Sequence, residues 1–256
     1  MLQAHSFLWH YLWVAPDVLL LLLGVLMRRR GLHRQFPAFT AFAFLGAVEH
    51  LVLYGADLAP WVTPQNFWRI ACAGLLVDIV LKLSLIGEIF SHLCGAYSSI
   101  AKLGKRVIQG IGVVLVFVAV GAAAFVQRDN PSWLISGEHL LEQTIFLIES
   151  GVLLSIFLFA AYFHLAWSTK TFGISLGLSI SACVHLATWA VIANGYMRDQ
   201  RALLDFLNMA TYHVCVLIWM YYLLLAREKS PRASLVRLPE HNLEVLNHEL
   251  ERLIHQ

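Results

Sequence analysis

The chain has 256 residues, of which 59% are hydrophobic and only 13% charged, whereas soluble domains carry roughly a quarter charged residues. Its mean hydropathy is +0.69. The 18 Lys+Arg and 16 Asp+Glu cannot cover the surface of a water-soluble fold of this size, which excludes an ordinary cytosolic enzyme, a nucleic-acid module and a disordered chain. The first partner implied is the lipid bilayer.

A spanning helix needs about 20 mostly apolar residues. In chain order, seven stretches qualify: Phe7–Met27, Phe36–Ala56, Phe67–Ser91, Val107–Val126, Leu140–Trp167, Phe172–Gly195 and Leu207–Ala226. The expected fold is therefore an all-α polytopic membrane protein with seven transmembrane helices. Short connectors rich in breakers join them, including Asp57–Asn66 with two prolines. The fifth stretch exceeds one membrane thickness, so its N-terminal turn is expected outside the hydrocarbon.

Loop charges give the orientation. With the N-terminus outside, the inner segments hold Arg28, Arg29, Arg30, Arg34, Lys102, Lys105, Arg106, Lys170, Arg227, Lys229, Arg232 and Arg237. The outer segments hold only Arg69, Arg128, Arg198 and Arg201. The bias predicts an N-out, C-in protein. The arginines follow the first apolar run instead of preceding it, so that run reads as a retained helix and not as a cleaved signal. Cys72, Cys94, Cys183 and Cys215 fall in or beside helices without paired spacing, which argues against a disulfide framework.

Residues 1–229 form the transmembrane domain and residues 230–256 a cytoplasmic linker and short amphipathic helix. In that tail Leu243, Leu246, Leu250 and Leu253 follow the a/d spacing of a coiled coil. The opposite face is acidic (Glu240, Glu244, Glu249, Glu251), unlike a membrane-surface helix, which would be basic. The tail is expected to dock a cytoplasmic protein partner, a second copy of the chain, or the protein's own inner loops.

An ionisable side chain inside a membrane is costly and is a functional-site hypothesis by default. Asp17 lies in the first span, Glu49 and His50 in the second, Asp78 and Lys82 in the third, Glu149 in the fifth, His185 in the sixth and His213 in the seventh. His50 and His213 are each about six residues from the outer end of their helix, roughly 9 Å deep. Adjacent helical positions point about 100° apart, so Glu49 and His50 cannot both face lipid. Asp78 and Lys82, four apart, share a helix face and read as an internal ion pair. Glu49, His50, Glu149, His185, Tyr212 and His213 are the candidates for a polar pocket in the outer half. Each lone histidine also admits a plainer role, a neutral ring hydrogen-bonded between helices.

Several uses of such a pocket stand open. Zinc chemistry has enough ligand types, but no HxxxH or HExxH lies in any span, and the second seventh-helix histidine of ceramidase-type hydrolases is missing beside His213. Haem b would need two histidines at one depth, a condition His50 and His213 meet. Retinal binding would need a lysine where rhodopsins carry it, in the seventh helix, and that helix has none. A carrier of three, one and three helices would show an internal repeat, and at an offset of 135 residues His50 falls on His185 and Asp78 on His213. A receptor or partner-binding protein would use both the pocket and the tail, and this is the leading expectation. No cofactor is predicted, and the protein is not expected to be an enzyme.

The stretches HLATWAVIANG from His185 and LNMATYHVCVLIW from Leu207, with the leucine-spaced tail, resemble a group of seven-helix bacterial inner-membrane proteins with no assigned activity. The resemblance implies a bacterial inner membrane and no site residues.

Overall fold

The computed structural model describes residues 6–95, 131–193 and 201–227, together with isolated positions between 102 and 117 and residue 245. Among the described residues the regular structure is helical throughout, with no strand. Six long helices make it up: α1 Phe7–Arg29, α2 Pro37–Leu58, α3 Pro64–Leu93, α4 Pro131–Tyr162, α5 Thr169–Ala193 and α6 Arg201–Met220. They realise the first, second, third, fifth, sixth and seventh predicted spans. All six contain a stretch long and apolar enough to cross a membrane, so the protein is a multipass membrane protein. The fourth predicted span and the leucine-spaced tail lie outside the described residues, apart from those isolated positions.

The helix ends follow local chemistry. Ser6 caps α1, its hydroxyl accepting from the Trp9 N–H, and Thr63 caps α3 in the same way at Asn66, with Pro64 supplying a helix-ready first position. Gly31 ends α1 in the left-handed region at φ 73°. The predicted fifth span, Leu140–Trp167, ran past the true end of α4. His164 adopts φ 49°, with its N–H bonded to Ala161 O and the Leu165 N–H to Ala160 O. That is a Schellman stop built without glycine, and Leu165 completes it by packing on the core. His164 is thus a turn residue, and Phe163–Trp167 lead into α5.

The helices form a closed ring in chain order. Each packs against the next, α6 returns to α1, and α3 also touches α5 across the ring. Here the upper end is the one at which α1 begins. Asp17 meets Tyr212 and Arg30 meets Leu224, so α6 descends beside α1. Lys82 meets Glu149 and Phe90 meets Phe159, so α4 descends beside α3.

The two halves of the ring differ. The lower half is filled by one continuous apolar cluster, which includes Leu20, Leu23, Met27, Phe36, Phe39, Leu85, Ile89, Leu153, Ile174, Val216 and Trp219, all essentially buried. Lipid supplies no hydrophobic drive between helices, so close packing and interhelical hydrogen bonds must hold the ring. Trp219 donates from Nε1 to Ile174 O at 3.2 Å, and it fits because Gly177 leaves no Cβ where the indole lies.

The lower end also carries an interhelical cap. The start of α2 exposes backbone N–H groups that no residue of α2 can satisfy. Glu88 on α3 reaches across, taking Ala38 N–H at Oε1 (2.9 Å) and Phe39 N–H at Oε2 (3.0 Å). Nearby, His92 Nε2 donates to Gln35 O at 2.8 Å. Glu88→Ala removes two hydrogen bonds to a charged acceptor, so a loss of about 2–3 kcal/mol is expected. Glu88→Gln, which keeps one acceptor oxygen, should lose less. Unfolding of the purified protein in detergent, followed by circular dichroism, measures both.

Candidate functional site

The upper half encloses a cavity of about 400 Å³ inside the ring. Leu12, Trp13 and Asp17 of α1, and Phe42, Gly46, Glu49, His50 and Leu53 of α2, make one side. The other side comes from Ala71, Leu75, Asp78 and Lys82 of α3, Phe146 of α4, Leu178, Ser181 and His185 of α5, and Asn208, Met209, Tyr212 and Trp219 of α6. All six helices contribute. Trp219, edge-on to Phe39 and Phe42, separates the cavity from the apolar core below.

Two polar clusters line the walls. The first centres on Asp17, which is only 1% exposed. Its Oδ1 accepts from His50 Nδ1 at 3.0 Å and from the Tyr212 hydroxyl at 3.2 Å, tying α1 to α2 and α6 through one oxygen. The Tyr212 and His50 rings meet edge to face. Pro16, just before Asp17, has no N–H for the Leu12 carbonyl, so α1 runs on through this point with one ladder bond missing at the depth of the cavity. Above, Trp9, Trp13, Tyr54 and His10 form an aromatic rim, with Tyr54 Oη 3.0 Å from His10 Nδ1. Such a girdle suits a membrane interface.

The second cluster centres on Lys82. Its Nζ lies 2.8 Å from Asp78 Oδ2, 3.6 Å from Glu149 Oε2 and 4.5 Å from the centre of the Phe146 ring. The expected intrahelical pair is present, but it is one arm of a three-residue arrangement that joins α3 to α4. Glu149 is 3% exposed and neither of its oxygens takes a hydrogen bond, so Lys82 is the charge that offsets it.

Glu49 stands between the clusters. Its carboxyl occupies the notch left by Gly74 of α3, where a Cβ would collide with Glu49 Oε1. Glu49 Oε2 is buried without a hydrogen-bond partner. On the far wall His185 Nδ1 donates to Ser181 O at 3.1 Å and stacks on Phe146, while Thr188 bonds Asn208 Oδ1 and holds α5 to α6.

Of the predicted residues, Glu49, His50, Asp78, Lys82, His185 and Tyr212 line this one cavity. Glu149 lies behind it, in contact with Lys82. His213 is not among the lining residues. It faces Tyr11, with ring centres 5.7 Å apart, while its neighbour Tyr212 turns inward. The two histidines that matched in depth are thus directed at different partners. Sequence reasoning passed over Asp17 as a pocket residue, although it was visible as a carboxylate in the middle of a span. Among the described residues no three His, Cys, Asp or Glu side chains are grouped to hold a metal ion.

In comparisons with protein-family models, curated proteins and solved structures, nothing matches this chain.

Removing Lys82 leaves two inward carboxylates without their cation. Lys82→Met is expected to destabilise the bundle by about 3–5 kcal/mol. Adding Glu149→Gln to that variant should restore part of the loss, whereas in the wild-type background the same change should be harmful. Unfolding in detergent mixtures with rising sodium dodecyl sulfate measures all three variants.

Proposed function

We propose that the protein is a receptor-like protein of a bacterial inner membrane, which binds a small polar solute in the upper cavity and passes the change to its cytoplasmic end. The observation that carries this reading is the division of the ring: a cavity above with ionisable groups set in its walls and bonded between helices, and a continuous apolar core below. A solute that enters the cavity competes for the bonds that Asp17 makes to α2 and α6, and so acts on helix positions. α6 is the natural output element. It carries Tyr212 in the cavity wall and Trp219 at the cavity floor, then a π-helical turn at Tyr221–Leu225. Such turns mark places where a helix is locally rearranged. The Leu224 carbonyl in that turn is held by Arg30 Nη1 at 2.7 Å, beyond which the chain leaves toward the acidic, leucine-spaced tail.

Seven spans with the upper end outside complete the reading. α3 and α4 both descend, and the fourth predicted span lies between them in the sequence, which supports this reading. The arginines of the connector after α1 sit at the lower end, where the positive-inside rule puts the cytoplasm.

A transporter is the second reading, and one observation favours it. α1, α2 and α3 run down, up, down, and α4, α5 and α6 repeat that order around the ring. The 135-residue offset carries each of the first three onto its counterpart and matches His50 to His185, both at the cavity. Parallel repeats of this kind build small carriers.

Four measurements decide. Alkaline phosphatase fused into the Ala59–Val62 loop should be active, and fused at Gly31 inactive; the reverse result overturns the orientation. A thermal-shift screen with a library of small metabolites should yield compounds that stabilise the wild type but not the Glu49→Leu, His50→Ala double variant, which should itself remain folded. A double variant that responds as the wild type does would remove the cavity from the function. Truncation after Arg237 should abolish an in-cell response to such a compound and spare binding, whereas solute flux into proteoliposomes that survives truncation establishes the transporter.

A further inference from the structure

Resting on the reading of the cavity as a ligand site, we infer that its ligand is a small organic cation, an alkylammonium head held between carboxylates and aromatic faces. Asp17, Glu49 and Asp78, on three different helices, line the cavity, and Lys82 is the only ammonium among the lining residues. Lys82 is already committed to Asp78, Glu149 and the Phe146 ring. Asp17 is served by His50 and Tyr212. Glu49 is left over, with Oε2 buried and accepting no hydrogen bond. Glu49 is partly buried and lines the cavity, and a cation delivered there would offset the cost of a carboxylate that lacks a donor at one oxygen.

The rest of the lining narrows the class. Trp13 of α1, Phe42 of α2 and Tyr212 of α6 line the same cavity as Glu49. Their π faces attract an alkylammonium group while contacting its methyl or methylene groups, and they offer nothing to a bare metal ion. Lys82 with Phe146 shows the same chemistry inside the protein, an ammonium set between carboxylates and over a ring. The volume, about 400 Å³, lies in the range of small-molecule sites and is far below that of a lipid acyl pair. An anion would meet three carboxylates, Asp17, Glu49 and Asp78, against the single ammonium of Lys82.

The test is a charge series at constant shape, read by isothermal titration calorimetry on the full-length protein in detergent. The probes are choline, tert-butylamine, the uncharged alcohol with carbon in place of choline's nitrogen, and tert-butylacetate as an anion of similar size. At least one of the two cations should bind about tenfold or more tightly than the alcohol, and the anion should not bind. Glu49→Gln should weaken the cation about tenfold and leave the alcohol unchanged, and Trp13→Leu should act in the same sense.

Equal binding of cation and alcohol, or preference for the anion, overturns the cation assignment while leaving a ligand cavity in place. No binding of any probe, with the metabolite screen still giving cavity-dependent hits, overturns it equally; failure of that screen as well removes the cavity reading itself. Two sources share this chemistry, a dissolved amine and a lipid headgroup. Protein in phosphatidylglycerol vesicles should take up choline in either case. Vesicles that also hold phosphatidylcholine should block that uptake only if the headgroup is the occupant.

Discussion

A carboxylate in the middle of a membrane span has to be satisfied by neighbouring helices, and Asp17 shows how this bundle meets that demand. One oxygen receives His50 from α2 and Tyr212 from α6, so the most costly residue of α1 becomes the point at which three helices are registered. Individual interhelical hydrogen bonds in membranes average only about 0.6 kcal/mol, because the separated helices also find partners. Their contribution here is therefore to register more than to stability. α1 cannot slide or rotate against α2 or α6 without leaving Asp17 unpaired.

Lys82 does the same for the other side of the ring. It is bonded within α3 to Asp78 and across to Glu149 of α4, so the pair that sequence spacing suggested is also an interhelical tie. Between these ties the upper half holds a cavity, lined by polar and apolar side chains alike. Below Trp219 the contacts are between aliphatic and aromatic side chains, and the polar anchors move to the backbone, at Glu88 on the start of α2 and Arg30 on the end of the π-helical turn.

The spans were legible because apolar length is a local property: four of the six described helices fall within three residues of expectation at both ends, while α6 begins six residues and α4 nine residues earlier than expected. α4 was misplaced at its end because a Schellman turn with histidine in the left-handed position carries no glycine to announce it. The membership of the cavity was legible in part. Glu49 and His50 had to face inward by the 100° step between them, and both do. The same step explains the miss at the other end of the site: Tyr212 and His213 are adjacent, so when one turns into the ring the other turns toward Tyr11. Periodicity cannot say which of two neighbouring polar residues takes the inner position. Asp17 was legible as costly but not as central, because its partners lie 33 and 195 residues away. Glu88 shows the same limit, since a glutamate near a helix end reads as a headgroup contact until the helix it caps is seen beside it.

The two halves of the ring also bear on how a polar cavity can exist in so apolar a chain. With 13% of residues charged, each intramembrane carboxylate needs a specific answer, and three of the four have one: Asp17 in a histidine and a tyrosine, Asp78 and Glu149 in a shared lysine. Glu49 has instead a glycine notch that makes room for it and no donor at Oε2. Packing has accommodated this side chain where bonding has not. A buried polar group for which space is made but no partner supplied is costly for stability alone. Its place is explained most directly if the missing donor arrives from outside the protein, in the cavity that Glu49 lines together with Trp13, Phe42 and Tyr212.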